Sequence, residues 1–322
     1  MWWRLTVTNL KGLTKEENDI LSFFSEGIQK SLEREDLTDI FINEDEVYVK
    51  THTGQFFLEK VKYNVHFIIN MLASNRELII NAGDPKLETT LGNDFRITAL
   101  IPPLVNRPEI AIRKLNAYAI SLNKYVDDGL LSMIHKEAID RFIVNRKNIV
   151  VVGATGSGKT TFTNAIIGRI AELSEEGQRL VIMEDVREIV TSMKNTCKLM
   201  TTSTMDMQSL LKVAMRLNPE RIIVGEVRDK AALDLLKAWN TGSPGGVATI
   251  HANGCEEALQ RMIDLSMEAG VPAPYALVAH AVDVVIFIAT ESTKEGFKRV
   301  IKDIATVENY DHKLQRFNLK SI

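Results

Sequence analysis

The sequence predicts an α/β protein in which a smaller α+β domain precedes a domain built on a parallel sheet. The length of 322 residues suggests two domains at about 100–200 residues each. From Asn148 onward, short β-rich runs alternate with helical stretches, which is the pattern of parallel βαβ units. Earlier residues instead mix helical periodicity with closely spaced strands. We therefore place the domains at 1–115 and 148–322, joined by a mostly helical linker region at 116–147.

The elements of the first domain follow from its hydrophobic periodicity. Apolar residues at helical spacing predict a helix over 15–35 and a second helical run from Val65 to Leu72. Short runs of strand-forming residues between acidic or Gly-containing turns predict strands at TDIFIN, EVYVKT and QFFLEKV. KLETTLGNDFRITALIPPL adds two strands joined by a turn at 92–94, and its two prolines end the second. EIAIRKL is a further strand.

The second domain shows the alternating pattern most clearly. Its predicted strands are NIVVV, RLVIM, RIIVG and GVATI, and helical stretches separate them. Near the end of the chain, residues 283–289, 299–304 and 313–319 predict a final strand and a hairpin.

Composition excludes several classes of protein. Apolar residues make up 45% of the chain and charged residues 25%, which is ordinary for a globular protein and excludes wholesale disorder. The net charge of -3 lacks the basic excess of a DNA-coating protein, so we expect no sequence-specific nucleic-acid partner. The overall charge does not exclude a local basic groove.

Cysteine use and hydropathy indicate the compartment. Cys197 and Cys255 match no metal or disulfide pattern, which fits a reducing cytosol. We find no apolar run long enough to span a bilayer and no signal peptide. We therefore expect a cytoplasmic protein. The adjacent Trp2 and Trp3 favour either a first strand packed on the N-terminal domain or peripheral contact with a membrane.

Residues 153–160, GATGSGKT, match the phosphate-loop pattern GxxxxGK[ST] at every fixed position. A strand run comes directly before them and a helical run directly after. The glycines let successive N–H groups point at an anion, and the helix adds its positive end. We expect Lys159 to reach the β- and γ-phosphates and the Thr160 hydroxyl to bind Mg²⁺. The predicted nucleotide-binding residues are Gly153, Ala154, Thr155, Gly156, Ser157, Gly158, Lys159, Thr160 and Thr161.

Carboxylates follow two of the other predicted strands. Glu184 and Asp185 end RLVIM, with Glu188 shortly after, and Glu226 follows RIIVG. Ligands gather at the carboxyl ends of parallel strands, where carboxylates hold Mg²⁺ or orient an attacking water. We therefore predict Glu184, Asp185 and Glu226, with Thr160, as metal ligands.

A histidine stands at the end of the next apolar strand. Glycines at 242, 245 and 246 lead into that strand, which ends at His251. Spacing alone leaves two interpretations open. His251 is either a structural residue or a sensor of the γ-phosphate.

Four motifs in this order resemble the secretion traffic ATPases, the superfamily that drives type II and type IV secretion and pilus machines. They are the phosphate loop, EDVREI, RLNPERIIVGEVRD and LLKAWNTGSPGGVATIHAN. The likeness is strongest from Asn148 to about Leu265. In the first domain it is carried by LTDIFINEDEVYV, FRITALIPP and AIRKL. The chain has neither the four-cysteine module of type II members nor the AIRNLIRE-like stretch of retraction motors. The type IV conjugal-transfer branch is therefore favoured.

The resemblance implies a RecA-like P-loop NTPase domain that hydrolyses ATP with Mg²⁺, with Lys159 among its catalytic residues. Glu188 would position or activate the attacking water, Glu226 would be the Walker B acid near Mg²⁺, and His251 would be the second histidine of the His box. Arginines of the first domain reach the nucleotide in this superfamily, and here they correspond to Arg96 and Arg113.

The resemblance also implies an assembly. Its members are homo-hexamers at the cytoplasmic face of the inner membrane. Their partners would be other secretion-system ATPases and inner-membrane components. The work would be pilus assembly or the transfer of DNA or protein.

One departure and three alternatives accompany this interpretation. The family reads TGHPG where this chain has TGSPG, so Ser243 replaces the first histidine of the His box. A hydroxyl forms hydrogen bonds but carries no charge, which leaves open how turnover differs. The alternatives are an ATPase of a related pilus or type II machine, a nucleotide-gated scaffold that does not hydrolyse ATP, and a nucleic-acid translocase. The balanced charge disfavours the last.

Overall fold

The computed structural model describes residues 13–51, 54–92, 94–115, 120–202, 204–293 and 296–322, with side chains of 292–298 left out. The chain divides into two compact units, Met1–Ala117 and Tyr118–Ile322. Trp2 and Trp3 lie outside the described residues. Within the described part, no helix combines the length and hydrophobicity needed to cross a membrane.

The first unit packs three helices on one face of an antiparallel sheet. The sheet order is β3-β2-β1-β6-β5-β4. Alternate strand residues such as Ile40, Ile97 and Ile112 are buried with Ile28 and Ile68 from the helices. Its elements are α1 (Lys15–Leu21), α2 (Glu26–Glu33), β1 (Leu37–Asn43), β2 (Glu46–Thr51), β3 (Gly54–Lys60), α3 (Val65–Ser74), β4 (Lys86–Leu91), β5 (Phe95–Leu100) and β6 (Glu109–Lys114).

The single helix predicted over 15–35 is two helices. The Thr14 hydroxyl accepts a hydrogen bond from the Glu17 N–H and begins the first, and the Ser25 hydroxyl accepts one from the Ile28 N–H and begins the second. Serine competes with helical continuation because its side chain satisfies the backbone at a helix start. The apolar periodicity survives this break, because both helices bury the same kind of face against the sheet.

The second unit contains a mixed sheet covered by helices on both faces. The sheet order is β14-β13-β12-β7-β11-β10-β8-β9. Its elements are α4 (Leu122–Asp127), α5 (Met133–Val144), β7 (Ile149–Val152), α6 (Lys159–Leu173), β8 (Leu180–Glu184), β9 (Thr196–Met200), α7 (Met207–Ala214), β10 (Arg221–Val224), α8 (Ala231–Asn240), β11 (Val247–Ile250), α9 (Cys255–Met267), α10 (Tyr275–Ala281), β12 (Val284–Thr293), β13 (Gly296–Asp311) and β14 (Arg316–Ser321).

The six strands from β12 to β9 run parallel, and β13 and β14 add an antiparallel edge. Along β7 successive side chains alternate between two cores: Ile149 and Val151 pack with α4, α5 and α6, whereas Val150 and Val152 pack with α7 to α10. This double burial explains why the central strands read as continuous apolar runs. The edge strand β9 is only partly buried, and Lys198 interrupts its apolar pattern, so periodicity does not predict a strand there.

The helical region predicted as a linker has its helices within the second unit. Leu122 of α4 and Ile139 of α5 share a buried cluster with Phe162 and Ile166 of α6. The observed division of the chain comes at 117/118. These helices therefore form part of the layer that covers the parallel sheet.

Candidate functional site

The predicted site residues of the second unit follow the carboxyl ends of four adjacent parallel strands. In the sheet, β7, β11, β10 and β8 are neighbours in that order. The phosphate loop follows β7, His251 follows β11, Glu226 is the second residue after β10, and Asp185 follows β8. Because these strands are parallel, the four segments begin at one edge of the sheet.

The glycines of the loop are required by its geometry at two positions. A Cβ added to Gly153 would lie 2.3 Å from the carbonyl oxygen of Ile288 and 2.6 Å from the Ser157 Oγ. Gly158 adopts a φ of +96°, a conformation that side chains rarely tolerate. The loop thus turns tightly off β7 and delivers the chain directly into α6.

The start of α6 is suited to an anion. The helix begins at Lys159 without a side-chain cap, and the first N–H groups of a helix have no partner inside it. The Ser157 Oγ is buried and has no hydrogen-bond partner among the described residues. Unpaired donors beside a helix N-terminus are the features that bind a phosphate chain.

Lys159 lies buried at the centre of this loop. It is 7% exposed, and its Nζ donates to the carbonyl oxygens of Gly153 at 2.9 Å and Ala154 at 3.0 Å. The Nζ also lies 3.2 Å from His251 Nδ1. Burial lowers the pKa of Lys159, and the charge of Glu226 partly offsets this. No described carboxylate forms an ion pair with it, so the site fits an anionic ligand.

Glu226 connects the histidine to the acidic strand ends. Its Oε1 lies 2.8 Å from His251 Nε2, and its Oε2 accepts a hydrogen bond from Arg228 Nη2 at 2.7 Å. Arg228 Nη1 also lies 3.4 Å from Asp185 Oδ2. Burial raises the pKa of Glu226, but Arg228, His251 and Lys159 together hold it below its usual value. Glu226 and Asp185 are therefore adjacent, and Arg228 bridges them.

The predicted metal site stays a prediction. Across the described residues, no cluster of three or more His, Cys, Asp or Glu side chains forms a metal cage. Mg²⁺ usually takes only one or two protein carboxylates and completes its shell with water and substrate phosphates. Asp185, Glu226 and the Thr160 hydroxyl suit that arrangement.

The carboxylate of Glu184, which the sequence predicts as a metal ligand, lies against backbone N–H groups. Its side chain is 3% exposed, and its Oε1 accepts hydrogen bonds from the N–H groups of Glu188 at 2.8 Å and Ile189 at 2.7 Å. Burial raises its pKa to about 7, although those two hydrogen bonds oppose the shift. Glu184 therefore fastens the loop that carries Asp185 and Glu188.

The raised pKa of Glu184 predicts a pH dependence of folding in the nucleotide-free protein. Between pH 4.5 and about 7 the folded state retains a proton that the unfolded chain releases, so the free energy of unfolding falls as pH rises through this window. The loss is on the order of 3 kcal/mol. Glu184→Gln keeps an oxygen acceptor and abolishes the titration. Urea denaturation of both proteins from pH 4.5 to pH 8 measures the difference, and a pH-independent difference would contradict the assignment.

Asn164 holds the same loop from the opposite side, and sequence reasoning missed it. Its Nδ2 donates to the carbonyl oxygen of Glu188 at 2.8 Å, and its Oδ1 accepts from the Val190 N–H at 3.1 Å. The Glu188 side chain has no hydrogen bond or ion pair to any other described residue, so its carboxylate is available to a ligand or water. Arg228 was also missed, although its place two residues after Glu226 was visible in GEVRD.

The two predicted arginines of the first unit lie next to each other. Arg96 of β5 and Arg113 of β6 are direct cross-strand partners. Arg113 Nε donates to Asp39 Oδ1 at 2.8 Å, whereas Arg96 lies 3.7 Å from Glu88. Like charges directly opposite each other destabilise a sheet. The repulsion between the two arginines therefore lowers the stability of the sheet, and the ion pairs with Asp39 and Glu88 offset part of this cost.

Ser243 lies at the amino ends of the parallel strands, opposite the carboxyl ends that carry the phosphate loop. It precedes β11, whereas His251 follows this strand, and four strand residues separate the two edges by about 13 Å. The Ser243 Oγ donates to the carbonyl oxygen of Pro219 at 3.0 Å, in the segment before β10. The two positions of the His box thus lie at opposite ends of β11 in this chain.

We expect Ser243→Ala to change the affinity for ADP by less than twofold. The substitution removes one hydrogen bond, which costs about 1 kcal/mol of stability, and touches nothing at the phosphate loop. Calorimetric titration of both proteins with ADP and Mg²⁺ tests this. A tenfold weaker affinity in a folded variant would connect the two edges of the sheet.

Comparison with known proteins identifies the family. The family described as "Type II/IV secretion system protein" matches residues 20–309. The chain is 37% identical over 292 residues to the probable conjugal transfer protein TrbB of Sinorhizobium fredii, covering 87% of this chain and 86% of that protein. It is 38% identical over 269 residues to the conjugal transfer protein TrbB of Rhizobium radiobacter, covering 80% and 82%. The resemblance to conjugal-transfer ATPases is confirmed.

Solved structures confirm the fold. The pilus retraction motor PilT with bound ADP superimposes with a TM-score of 0.64 at 19% identity, covering 91% of this chain and 81% of that one. The Legionella pneumophila ATPase DotB gives a TM-score of 0.60 at 18% identity, covering 89% and 79%. The predicted class, an α/β protein with a RecA-like P-loop domain and a smaller α+β domain, is correct. From the family match over most of its length, we conclude that the chain belongs to the type II/IV secretion system protein family.

Proposed function

We propose that this protein hydrolyses ATP with Mg²⁺ and powers a type IV secretion or conjugal transfer machine. The observation that carries the proposal is Lys159, a buried ammonium without a carboxylate partner among the described residues, set at the start of α6 directly after Gly158. Such a group needs an anion, and a phosphate chain supplies it. Membership of a secretion-ATPase family agrees with this chemistry.

The residues of the second unit divide the work of phosphoryl transfer. Lys159 and the N–H groups of 153–161 bind the phosphates, and Thr160, Asp185 and Glu226 hold Mg²⁺, which neutralises charge on the transferred group. The carboxylate of Glu188 orients the attacking water. Positioning and neutralisation account for most of the rate in this reaction class.

His251 is the residue best placed to report the state of the site. It contacts Lys159 through Nδ1 and Glu226 through Nε2. A ligand that draws Lys159 away changes what Nδ1 can bond to, and the ring passes that change to Glu226. We therefore favour the sensing role for His251 over the purely structural one.

Arg96 and Arg113 supply the remaining positive charge from the first unit. Asp39 and Glu88 neutralise these adjacent arginines only in part, which leaves positive charge for a phosphate. Closure of the first unit on the γ-phosphate, and its release after hydrolysis, converts chemistry into a hinge movement. This motor works as a homo-hexamer at the cytoplasmic face of the inner membrane, with other secretion-system ATPases and inner-membrane components.

The alternative function, a nucleotide-gated scaffold that does not hydrolyse ATP, has no observation in its favour. It depended on the missing first histidine of the His box, and Ser243 lies at the sheet edge away from the phosphate loop. The position offers no reason for hydrolysis to fail. A related pilus or type II machine is disfavoured by the match to conjugal transfer proteins.

The decisive experiment is an assay of phosphate release by the purified full chain. We expect release that requires Mg²⁺ and is unchanged by added DNA. Calorimetry with ATP and ADP, on material shown to be folded by circular dichroism, accompanies the assay. Absence of nucleotide binding would refute the proposal, and DNA-stimulated turnover would favour a translocase.

A further inference from the structure

Strand β13 carries an arginine, Arg299, that lies beside the phosphate loop and belongs to none of the sequence motifs. Strand β12 pairs with β7 up to Phe287 opposite Val152, and then continues past the end of β7 to Thr293. Its antiparallel partner β13 returns along it, with Arg299 opposite Thr290. This register brings Arg299 to the level of the loop that follows Val152.

Contacts confirm that Arg299 lies against the loop. A Cβ added to Gly158 would lie 3.0 Å from Arg299 Cδ and 3.3 Å from its Nε. The side chain therefore rests on the glycine that precedes Lys159. This packing is a second reason, besides its φ, for glycine at position 158.

The surroundings of Arg299 leave its charge without a protein partner. The recess around it is lined by apolar groups, including Tyr125, Leu130, Ile288 and Ile301. Arg299 is exposed, and no other described side chain forms an ion pair with it. A guanidinium fixed by its stem on an apolar surface keeps its N–H donors for a ligand, and its fork matches phosphate oxygens.

The rest of the loop strengthens this assignment. Residues 153–160 contain no acidic side chain that would attract the guanidinium. They do contain Lys159 and the uncapped start of α6, both of which favour an anion. Two cations and a helix N-terminus around one glycine loop repel each other until a polyanion arrives.

We propose that Arg299 binds the phosphate chain of the nucleotide from within the same unit that carries the phosphate loop. This inference rests on the proposed function, because it requires that the loop binds a nucleotide. Arg299 is then a binding residue supplied in cis, distinct in origin from the two arginines of the first unit. Through Arg299, the antiparallel pair β12–β13 contacts the nucleotide when it is bound.

Calorimetry with ADP and Mg²⁺ tests the assignment through two matched variants. Arg299→Met keeps the unbranched stem that packs on Gly158 and removes the charge, and we expect it to bind ADP about 10- to 100-fold more weakly. Arg299→Lys keeps the charge and should stay within a few-fold of wild type. The affinity of Arg299→Met should also depend less steeply on salt concentration, because one ionic contact is missing. Arg316→Met, an exposed arginine on β14, is the control and should bind as wild type.

Three results would overturn this inference. Unchanged affinity in Arg299→Met would remove Arg299 from the binding site. Equal losses in the Lys and Met variants, with an unchanged salt dependence, would assign the guanidinium to the base or ribose instead of the phosphates. Failure of the wild-type protein to bind ADP would overturn the proposed function itself, and is thus distinguishable from the first two.

Discussion

Lys159→Ala is expected to abolish phosphate release and to weaken ATP binding by at least about 100-fold. The lost ammonium is the only lysine among the fixed positions of the loop, and hydrogen bonds between charged groups are the strong ones in such sites. Removal of one preorganised electrostatic contact costs roughly 10²–10³ in rate in other enzymes. Steady-state phosphate release and calorimetry with ATP measure the two effects.

The fold of this variant provides an internal check. Lys159 forms no ion pair with any described carboxylate, so alanine leaves no unpaired buried charge behind. The melting temperature should therefore be unchanged or higher, because a desolvated ammonium no longer has to be accommodated. Lys237→Ala, an exposed lysine on α8, is the matched control and should retain full activity. Normal turnover by Lys159→Ala would refute the role of the loop.

The parts of the site that the sequence predicts are those encoded by local chain geometry. Ile149–Val152 is a strand inside the predicted run NIVVV, because a short apolar run and a glycine loop define its ends. Gly158 and Lys159 follow from a fixed pattern whose residue types are each needed for backbone turns or charge. The order of strands and loops in parallel βαβ units then places Glu226 and His251 at the same edge.

The parts that the sequence does not predict depend on which way a side chain turns at a strand end. Glu184 and Asp185 are adjacent carboxylates at the end of one strand, yet Glu184 is buried against backbone N–H groups while Asp185 faces Arg228. Both residues are carboxylates at the end of the same strand, so the sequence pattern does not distinguish the buried one from the one at the site. Successive strand residues point to opposite sides, and only the tertiary fold decides which side is the site.

Contacts between segments that are distant in the sequence are the second feature of the site that the sequence does not predict. Asn164 reaches a loop that follows it by more than twenty residues, and Arg299 reaches Gly158 across the sheet. Neither lies in a motif. The contact of Asn164 depends on the packing of α6 in one buried cluster with β8. The contact of Arg299 depends on register, because β12 and β13 extend past the loop. Binding residues of this kind are found by tracing sheet register rather than by scanning for spacing.

Replacement of Arg113 is expected to slow hydrolysis by about 10³-fold or more, as loss of an arginine that neutralises the transferring phosphate does in other nucleotide hydrolases. The turnover number should fall, whereas ADP affinity should change little, because the charge is needed most in the transition state. Stopped-flow binding and steady-state phosphate release separate these two quantities.

The design must protect the fold, because Arg113 is the partner of Asp39, whose side chain is only 8% exposed. Arg113→Ala alone leaves that carboxylate unpaired, so the test variant is Asp39→Asn with Arg113→Ala, compared with Asp39→Asn alone. Arg96→Ala gives a second, independent measurement, since its ion pair with Glu88 is long, only partly buried and worth little. Arg34→Ala, an exposed pair with Asp36 in the same unit, is the control. If the double variant and Arg96→Ala both turn over ATP at the rate of Asp39→Asn, the first unit takes no part in the chemistry and hydrolysis belongs to the second unit alone.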